Sequence, residues 1–327
     1  MKNRKLTAGL ALAAAGALAL AGCSSDSGDN GDTKAESYSI GVIQLVQHPA
    51  LDAATKGFQD AFKDAGVEVK WDVKNANGEQ ATAVTMAQGF ASSNVDLVLA
   101  VATPAAQAAA QAITDKPVLF TAVTDAVSAE LVKSDEKPGG NVTGTSDAAP
   151  IDEQLKLLKE LVPDVKTVGI VYSSGEVNSE VQVKAAKEAA SKLDLEIKEA
   201  SVTTANDIAQ AVESLGDVDS IYVPTDNMVV SGIAALIQVA EAKKIPVIGA
   251  ESGTVEGGAI ATLGIDYTKL GYQTGEMALK ILKDGADPAT MSVELSKEYT
   301  YVVNPAAAER FGVTIPASIL DKAETVE

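Results

Sequence analysis

The sequence predicts an α/β protein of two Rossmann-like lobes, each built on a parallel sheet. Three observations predict it. Short apolar stretches alternate with amphipathic ones of helical length, the pattern of strands joined by crossover helices. The alternation runs once from residue 38 to 147 and begins again at residue 151. The chain has 327 residues, enough for two lobes with a core apiece.

The first unit opens with YSIGVIQLV, residues 38–46, a short apolar strand. Residues 49–65 follow as a helix with Leu51, Ala54, Phe58, Ala61 and Phe62 on one stripe, stopped by Gly66. VEVKWDVKNA (67–76) alternates like a strand, and 79–94 is helical. VDLVLAVAT (95–103) is a buried strand, and Pro104 opens the next helix, where proline is favoured. KPVLFTAV (116–123) is a strand with a short helix after it near 126–133, and GNVTGTSD (140–147) closes the unit.

In the second unit, helices at 151–161, 177–193, 204–215 and 228–243 alternate with strands at 167–174, 196–202, 220–226 and 246–252. The tail differs: a strand at 258–266, a helix at 268–284, an extended stretch at 291–304 and a short helix from Pro305. A tail this long after two complete units is expected to cross between the lobes.

The start of the chain reads as targeting rather than fold. Lys2, Arg4 and Lys5 precede an apolar run of small residues, 6–22, which ends in LAGC with the only cysteine, Cys23. This is the pattern of a signal peptide over 1–22, and LAGC resembles the lipobox of bacterial lipoproteins, whose cysteine thiol receives a diacylglycerol. The Ser, Gly, Asp and Asn of 24–37 cannot bury enough surface to order themselves and read as a tether. A chain with one cysteine forms no intrachain disulfide. The net charge of −19 disfavours nucleic acid as a partner.

In open parallel sheets, ligands bind beyond the carboxyl ends of the strands. The residues there are Gln44 and His48; Thr103, Pro104 and Ala105; and Thr124 and Asp125 in the first unit. In the second they are Tyr172, Ser173, Ser174, Glu176, Asn178 and Ser179; then Thr225, Asp226 and Asn227; then Glu251. Helix starts at Thr103-Pro104 and Ser173-Ser174 suit a ligand carboxylate. Asp226 and Glu251 suit an ammonium. Tyr172, Tyr267 and His48 offer flat surfaces. Together these fit a small zwitterion. Each polar residue at a helix start is also an ordinary N-cap, and Asp226-Asn227 fits the capping of 228–243. The case for a site rests on their common position in both units.

His48 is the only histidine, and Pro49 biases it towards extended backbone. A metal site would need further ligands of its kind, and a catalytic triad would need a histidine base with its partners. No Walker A loop, dinucleotide fingerprint or nucleophile elbow is present. No cofactor is expected.

Several segments together resemble the ABC-transporter substrate-binding proteins of the tryptophan-transporter-associated type. They are IGVIQLVQHPALDAATKGFQDAF, ATPAAQAA, FTAVTDAV, GNVTGTSD, VGIVYSSGEVNS, VPTDN and GAIATLGIDYTKLGYQTGEMALKIL, in order across 38–315. The resemblance implies a type I periplasmic-binding-protein fold, with two lobes joined by a three-crossover hinge that close on a ligand. It places crossovers near 145–148, 249–252 and 291–294. Lobe 1 would be 38–146 plus 252–291 and lobe 2 would be 147–250 plus 293–327, with 23–37 as lipidated cysteine and tether. Glu251 and Tyr267 would lie near the hinge. The implied function is a lipid-anchored, extracytoplasmic, monomeric protein that captures an amino acid-like solute and delivers it to an ABC permease in the membrane. A ligand sensor for a membrane receptor, or a hydrolase using Ser173 or Ser174, are the alternatives.

Overall fold

The computed structural model describes residues 37–326. The first half contains β1 (Ser37–Gln44), α1 (Pro49–Asp64), β2 (Glu68–Asn75), α2 (Gln80–Ala91), β3 (Leu97–Val101), α3 (Thr103–Ala112), β4 (Val118–Val123), β5 (Val142–Ser146) and α4 (Ile151–Leu161). Next come β6 (Thr167–Ser173), α5 (Val177–Lys192), β7 (Glu196–Val202), α6 (Ile208–Ser214), β8 (Ser220–Val223), α7 (Asn227–Ser231), α8 (Ile233–Lys243) and β9 (Val247–Gly249). The chain ends with α9 (Ser252–Glu256), β10 (Ala261–Gly264), α10 (Tyr267–Asp284), β11 (Glu294–Leu295), β12 (Thr300–Val303), α11 (Pro305–Phe311), α12 (Ala317–Leu320) and β13 (Ala323–Thr325).

Two sheets organise these elements. One has the order β11-β5-β4-β3-β1-β2, and every pairing in it is parallel. The other has the order β13-β12-β10-β9-β8-β6-β7, with β10–β12 the antiparallel pair. Central strands such as LVLAV and VLFTAV are buried along their whole length. Parallel strands covered by helices on both faces need such continuous apolar runs. β2, at the sheet edge, alternates between exposed and half-buried.

Helix α1 buries the predicted stripe of Leu51, Ala54, Phe58, Ala61 and Phe62. It starts at Pro49 and ends before Gly66, whose φ of +66° turns the chain out of the helix. It crosses α10 at very close range. A Cβ on Gly57 would lie 2.0 Å from the Thr268 carbonyl oxygen, and one on Gly271 would lie 1.9 Å from that of Ala54. Only hydrogen at these positions allows the two backbones to touch, and so fixes α1 against α10.

Each sheet carries its own core, and the cores show where the chain crosses over. The chain first passes from one core to the other after β5. The second crossover falls after Gly264 rather than at 249–252. Ala261 pairs with Ile248 of β9, and β10 pairs on its other side with β12, so 258–264 stays in lobe 2. Gln154, fully buried, reinforces this by donating to the carbonyls of Ala250 (3.0 Å) and Leu263 (2.8 Å) while accepting from the Tyr222 hydroxyl. Ile260 and Ala261 join the second core, and Ile265 and Tyr267 the first. The third crossover lies beyond Leu295, because β11 pairs with β5 in lobe 1. Tyr299, on that crossover, donates to the carbonyl of Ala148 on the first.

Other elements also depart from expectation. Residues 126–130 form turns rather than a helix; the Asp125 carboxylate ties the first of them by accepting from both the amide and the hydroxyl of Ser128. The helix expected at 228–243 breaks at Gly232, where an added Cβ would meet Ile208 Cδ1 at 2.5 Å. The five-residue α9 occupies a stretch read as the end of one strand and the lead into the next.

Candidate functional site

A small cavity lies where the carboxyl ends of the strands of the two sheets face each other. Lobe 1 contributes His48, Ala50 and Leu51 from the start of α1, Ala122 and Thr124 from the end of β4, and Asp147 after β5. Lobe 2 contributes Asn178 from α5, Thr225 and Asp226 after β8, Asn227 and Val230 from α7, and Glu251 after β9. Tyr267, the first residue of α10, completes the wall. The Thr124 and Thr225 hydroxyls approach to 3.4 Å across the cleft.

Three carboxylates on this wall differ in how much acceptor capacity they retain. Asp226 caps α7 by accepting from Val229 N at 2.8 Å, and its other oxygen accepts from Ser173 N and from the Ser179 hydroxyl. Glu251 caps α9 by accepting from Gly253 N, Thr254 N and the Thr254 hydroxyl. Asp147, 3% exposed, receives two hydroxyls from side chains: Thr124 on Oδ1 at 2.9 Å and Tyr267 on Oδ2 at 2.8 Å. A carboxylate has about four lone-pair sites, so each Asp147 oxygen keeps room for another donor. Burial raises the pKa of all three, and their hydrogen bonds offset part of the rise.

Glu176 is buried beside a second pocket that shares Asn227 with the cavity. It accepts from the backbone amides of Asn227 and Met228 and from the Asn227 and Asn178 side chains. Burial, and then the nearby charge of Asp226, push its pKa up to about 7.

His48 has extended backbone (φ −157°, ψ 163°), as the following proline requires. It is 8% exposed, and neither ring nitrogen has a hydrogen-bond partner. Burial lowers its pKa to about 4; the neighbouring Asn227 side chain, short of hydrogen-bonding geometry, and the charge of Asp52 oppose the shift. The ring is therefore neutral at physiological pH, with one N–H donor and one bare nitrogen acceptor.

A family model described as ABC transporter substrate binding protein matches residues 39–327. The chain belongs to that family. A tyrosine-binding protein of Clostridioides difficile is 42% identical over 93% of this chain and 91% of its own length. Among solved structures, an ABC domain from Streptococcus pneumonia in complex with L-Trp is similar at 40% identity and a TM-score of 0.86, over 89% of this chain and 100% of that one. A ligand-free, open substrate-binding protein with adhesive properties from Clostridium difficile is similar at 45% identity but a TM-score of 0.69, over 89% and 99%. A periplasmic binding protein/LacI transcriptional regulator from Alkaliphilus metalliredigens, 14% identical with a TM-score of 0.57 over 81% and 97%, shares the fold alone. The fold is thus the type I periplasmic-binding-protein fold.

In this substrate-binding protein, the sequence-predicted residues divide by position. His48, Thr124, Asn178, Thr225, Asp226, Asn227, Glu251 and Tyr267 line the cavity. Gln44 is buried but spends its amide on the junction of β1 and α1, donating to Val46 O before the helix and to Asp52 within it and accepting from Thr55, so it fixes the turn that carries His48. Ser173, Glu176 and Ser179 are buried around α7, Ser173 and Ser179 holding Asp226. Thr103, Pro104 and Ala105 are buried in the first turn of α3 but do not line the cavity; the Thr103 hydroxyl has no partner there.

Three residues lie elsewhere. Ser174 is exposed, and Tyr172 is half-buried among Lys187, Glu199 and Glu180 on the outer side of lobe 2. Side chains alternate along a strand, so with Ser173 directed inward Tyr172 is directed away. Asp125 serves the turn described above. The lining residues missed are the apolar Ala50, Leu51, Ala122 and Val230 and the polar Asp147, which follows β5 just as Thr124 follows β4. The same positional rule would have found it.

The described residues hold no group of three or more metal-ligating side chains, and no helix among them is long and apolar enough to cross a membrane. Cys23, the signal peptide and the tether as far as Glu36 lie outside the described residues.

Proposed function

We propose that this protein is the extracytoplasmic solute receptor of an ABC importer and captures an aromatic amino acid between its lobes. The observation that carries the reading is Asp147: a buried carboxylate on a cavity walled by both lobes, with acceptor sites left over and no cation beside it among the described residues. A ligand ammonium supplies that cation. Asp226 and Glu251 are less suited, because helix caps occupy their oxygens. The Thr124 and Thr225 hydroxyls, one from each lobe, receive the rest of the polar end.

Tyrosine and tryptophan, named for the related proteins, support the aromatic class. Hinge closure is supported by the structural comparison. This chain is more similar in sequence to the open relative, yet more similar in shape to the tryptophan complex. Ligand contacts to both lobes favour the closed state by the ligand's differential affinity. The protein works as a monomer, and binding in the cleft calls for no catalysis and no cofactor. Anchoring rests on Cys23 in its lipobox-like setting; replacing it with serine should move the protein from the membrane to the soluble fraction.

A thermal-shift panel of the twenty amino acids tests the class. A ligand at about a hundred times its Kd stabilises by roughly 2.7 kcal/mol. Shifts with aromatic amino acids support the reading, and a panel without them refutes it.

A further inference from the structure

The cavity lining is sorted by chemistry. Its apolar members Ala50 and Leu51 belong to α1 and Val230 belongs to α7, with Ala122 the one apolar member among the strand ends. Among the described residues, the buried polar atoms of this lining without a hydrogen-bond partner are the two His48 ring nitrogens, at the start of α1, and Asn178 Oδ1, on α5. The carboxylates and threonine hydroxyls come instead from the strand ends after β4, β5, β8 and β9. A bound amino acid with its ammonium on Asp147 therefore directs its side chain towards α1 and α7.

We infer that His48 is the specificity-determining residue of this cavity, a neutral hydrogen-bond acceptor for a ligand side chain that carries its own donor. The inference rests on the aromatic amino acid reading and sharpens it. Tyrosine offers a phenolic O–H and tryptophan an indole N–H; phenylalanine is the same kind of ring without a donor. A buried imidazole facing phenylalanine keeps its nitrogens unpaired after water has been expelled, and sites built to pair a ligand group reject the analogue that lacks it. His48 does this without a charge, so it adds no positive group beside the ligand ammonium. It does not react with the ligand.

The test is titration calorimetry of the purified protein with tyrosine, tryptophan and phenylalanine, repeated on His48→Leu. Wild-type protein should bind tyrosine or tryptophan at least about tenfold more tightly than phenylalanine, the size expected of a lost buried hydrogen bond. His48→Leu should remove that preference, weakening the donor-bearing ligand while leaving phenylalanine no weaker. Phenylalanine binding as tightly as both others in wild type overturns the inference, and this comparison needs no variant to fold. A preference that survives in His48→Leu also overturns it. Failure of all three ligands to bind is a separate result, which removes the aromatic reading itself.

Discussion

The Tyr267 hydroxyl donates to Asp147 Oδ2 at 2.8 Å, and the two residues stand on different crossovers of the hinge. Asp147 follows the last residue of β5 as the chain leaves lobe 1, and Tyr267 opens α10 as the chain returns. The same carboxylate takes the Thr124 hydroxyl on its other oxygen. Asp147 thus joins the first crossover to the wall of the cavity, and the burial that raises its pKa makes an incoming cation favourable there.

Asp147→Asn should weaken ligand binding by roughly 2 kcal/mol or more, about thirtyfold in Kd, by removing the buried charge opposite the ammonium. The fold should survive, because asparagine can still accept from one of the two hydroxyls. Calorimetry of ligand binding alongside urea denaturation separates the effects. Unchanged affinity contradicts the assignment.

Asp226→Ala should act first on stability. It strips acceptors from Val229 N, Ser173 N and the Ser179 hydroxyl, all in buried surroundings. The loss of a cap plus orphaned donors should cost roughly 2–4 kcal/mol. Urea unfolding without ligand reads this directly, and an unchanged midpoint would return Asp226 to a ligand-facing role.

Glu176 predicts a pH dependence with a definite sign. Its pKa is raised from 4.5 to about 7 in the folded state, so between those values the folded protein holds a proton that the unfolded chain has lost. Its contribution therefore diminishes as pH rises from about 4.5 to about 7. His48 acts oppositely: its folded pKa near 4, against 6.5 unfolded, makes stability rise with pH over that window. Glu176→Gln should leave the His48 slope, so the variant should gain stability relative to wild type as pH rises to 7. Unfolding curves at pH 5 and 7 for both proteins check this; an identical difference at the two pH values contradicts it.

Gly271→Ala should destabilise by about 3 kcal/mol, near the upper end of the usual cost of overpacking, because its Cβ would sit 1.9 Å from the Ala54 carbonyl oxygen. Affinity should fall with it, since α1 carries His48 and α10 carries Tyr267. Gly89→Ala in the exposed face of α2, with no atom within 4 Å of the new Cβ, should be neutral or stabilising by up to about 1 kcal/mol. Equal midpoints for the two variants would show that the α1–α10 contact is not tight.

Much of this was legible in the chain. Apolar runs such as LVLAV and the stripe of α1 follow from burial on two faces and on one, and they need no partner to be recognised. The rule of reading residues after each strand reached His48, Thr124, Thr225 and Glu251 because topology alone puts them there. What escaped depended on contacts far apart in sequence. β10 belongs to lobe 2 through its pairing with β12 and through Gln154, which acts from 109 residues away on Leu263. Without those contacts, the short α9 and its glycines give no helical period to mark the crossover. Asp226 and Glu251 read from the sequence as ammonium partners or as helix caps, and the geometry of α7 and α9 decides for the caps. Asp147 escaped because the segment GNVTGTSD was read as closing the unit rather than as the end of a strand.

The central claim is that an aromatic amino acid is held between the lobes, and calorimetric titration of the purified protein with tyrosine and tryptophan, with glycine as control, tests it most directly. Saturable binding of one molecule per chain is expected for at least one aromatic ligand and none for glycine. A negative heat-capacity change is also expected as apolar surface is buried. No saturable binding of either aromatic ligand, or equal binding of glycine, would contradict the claim.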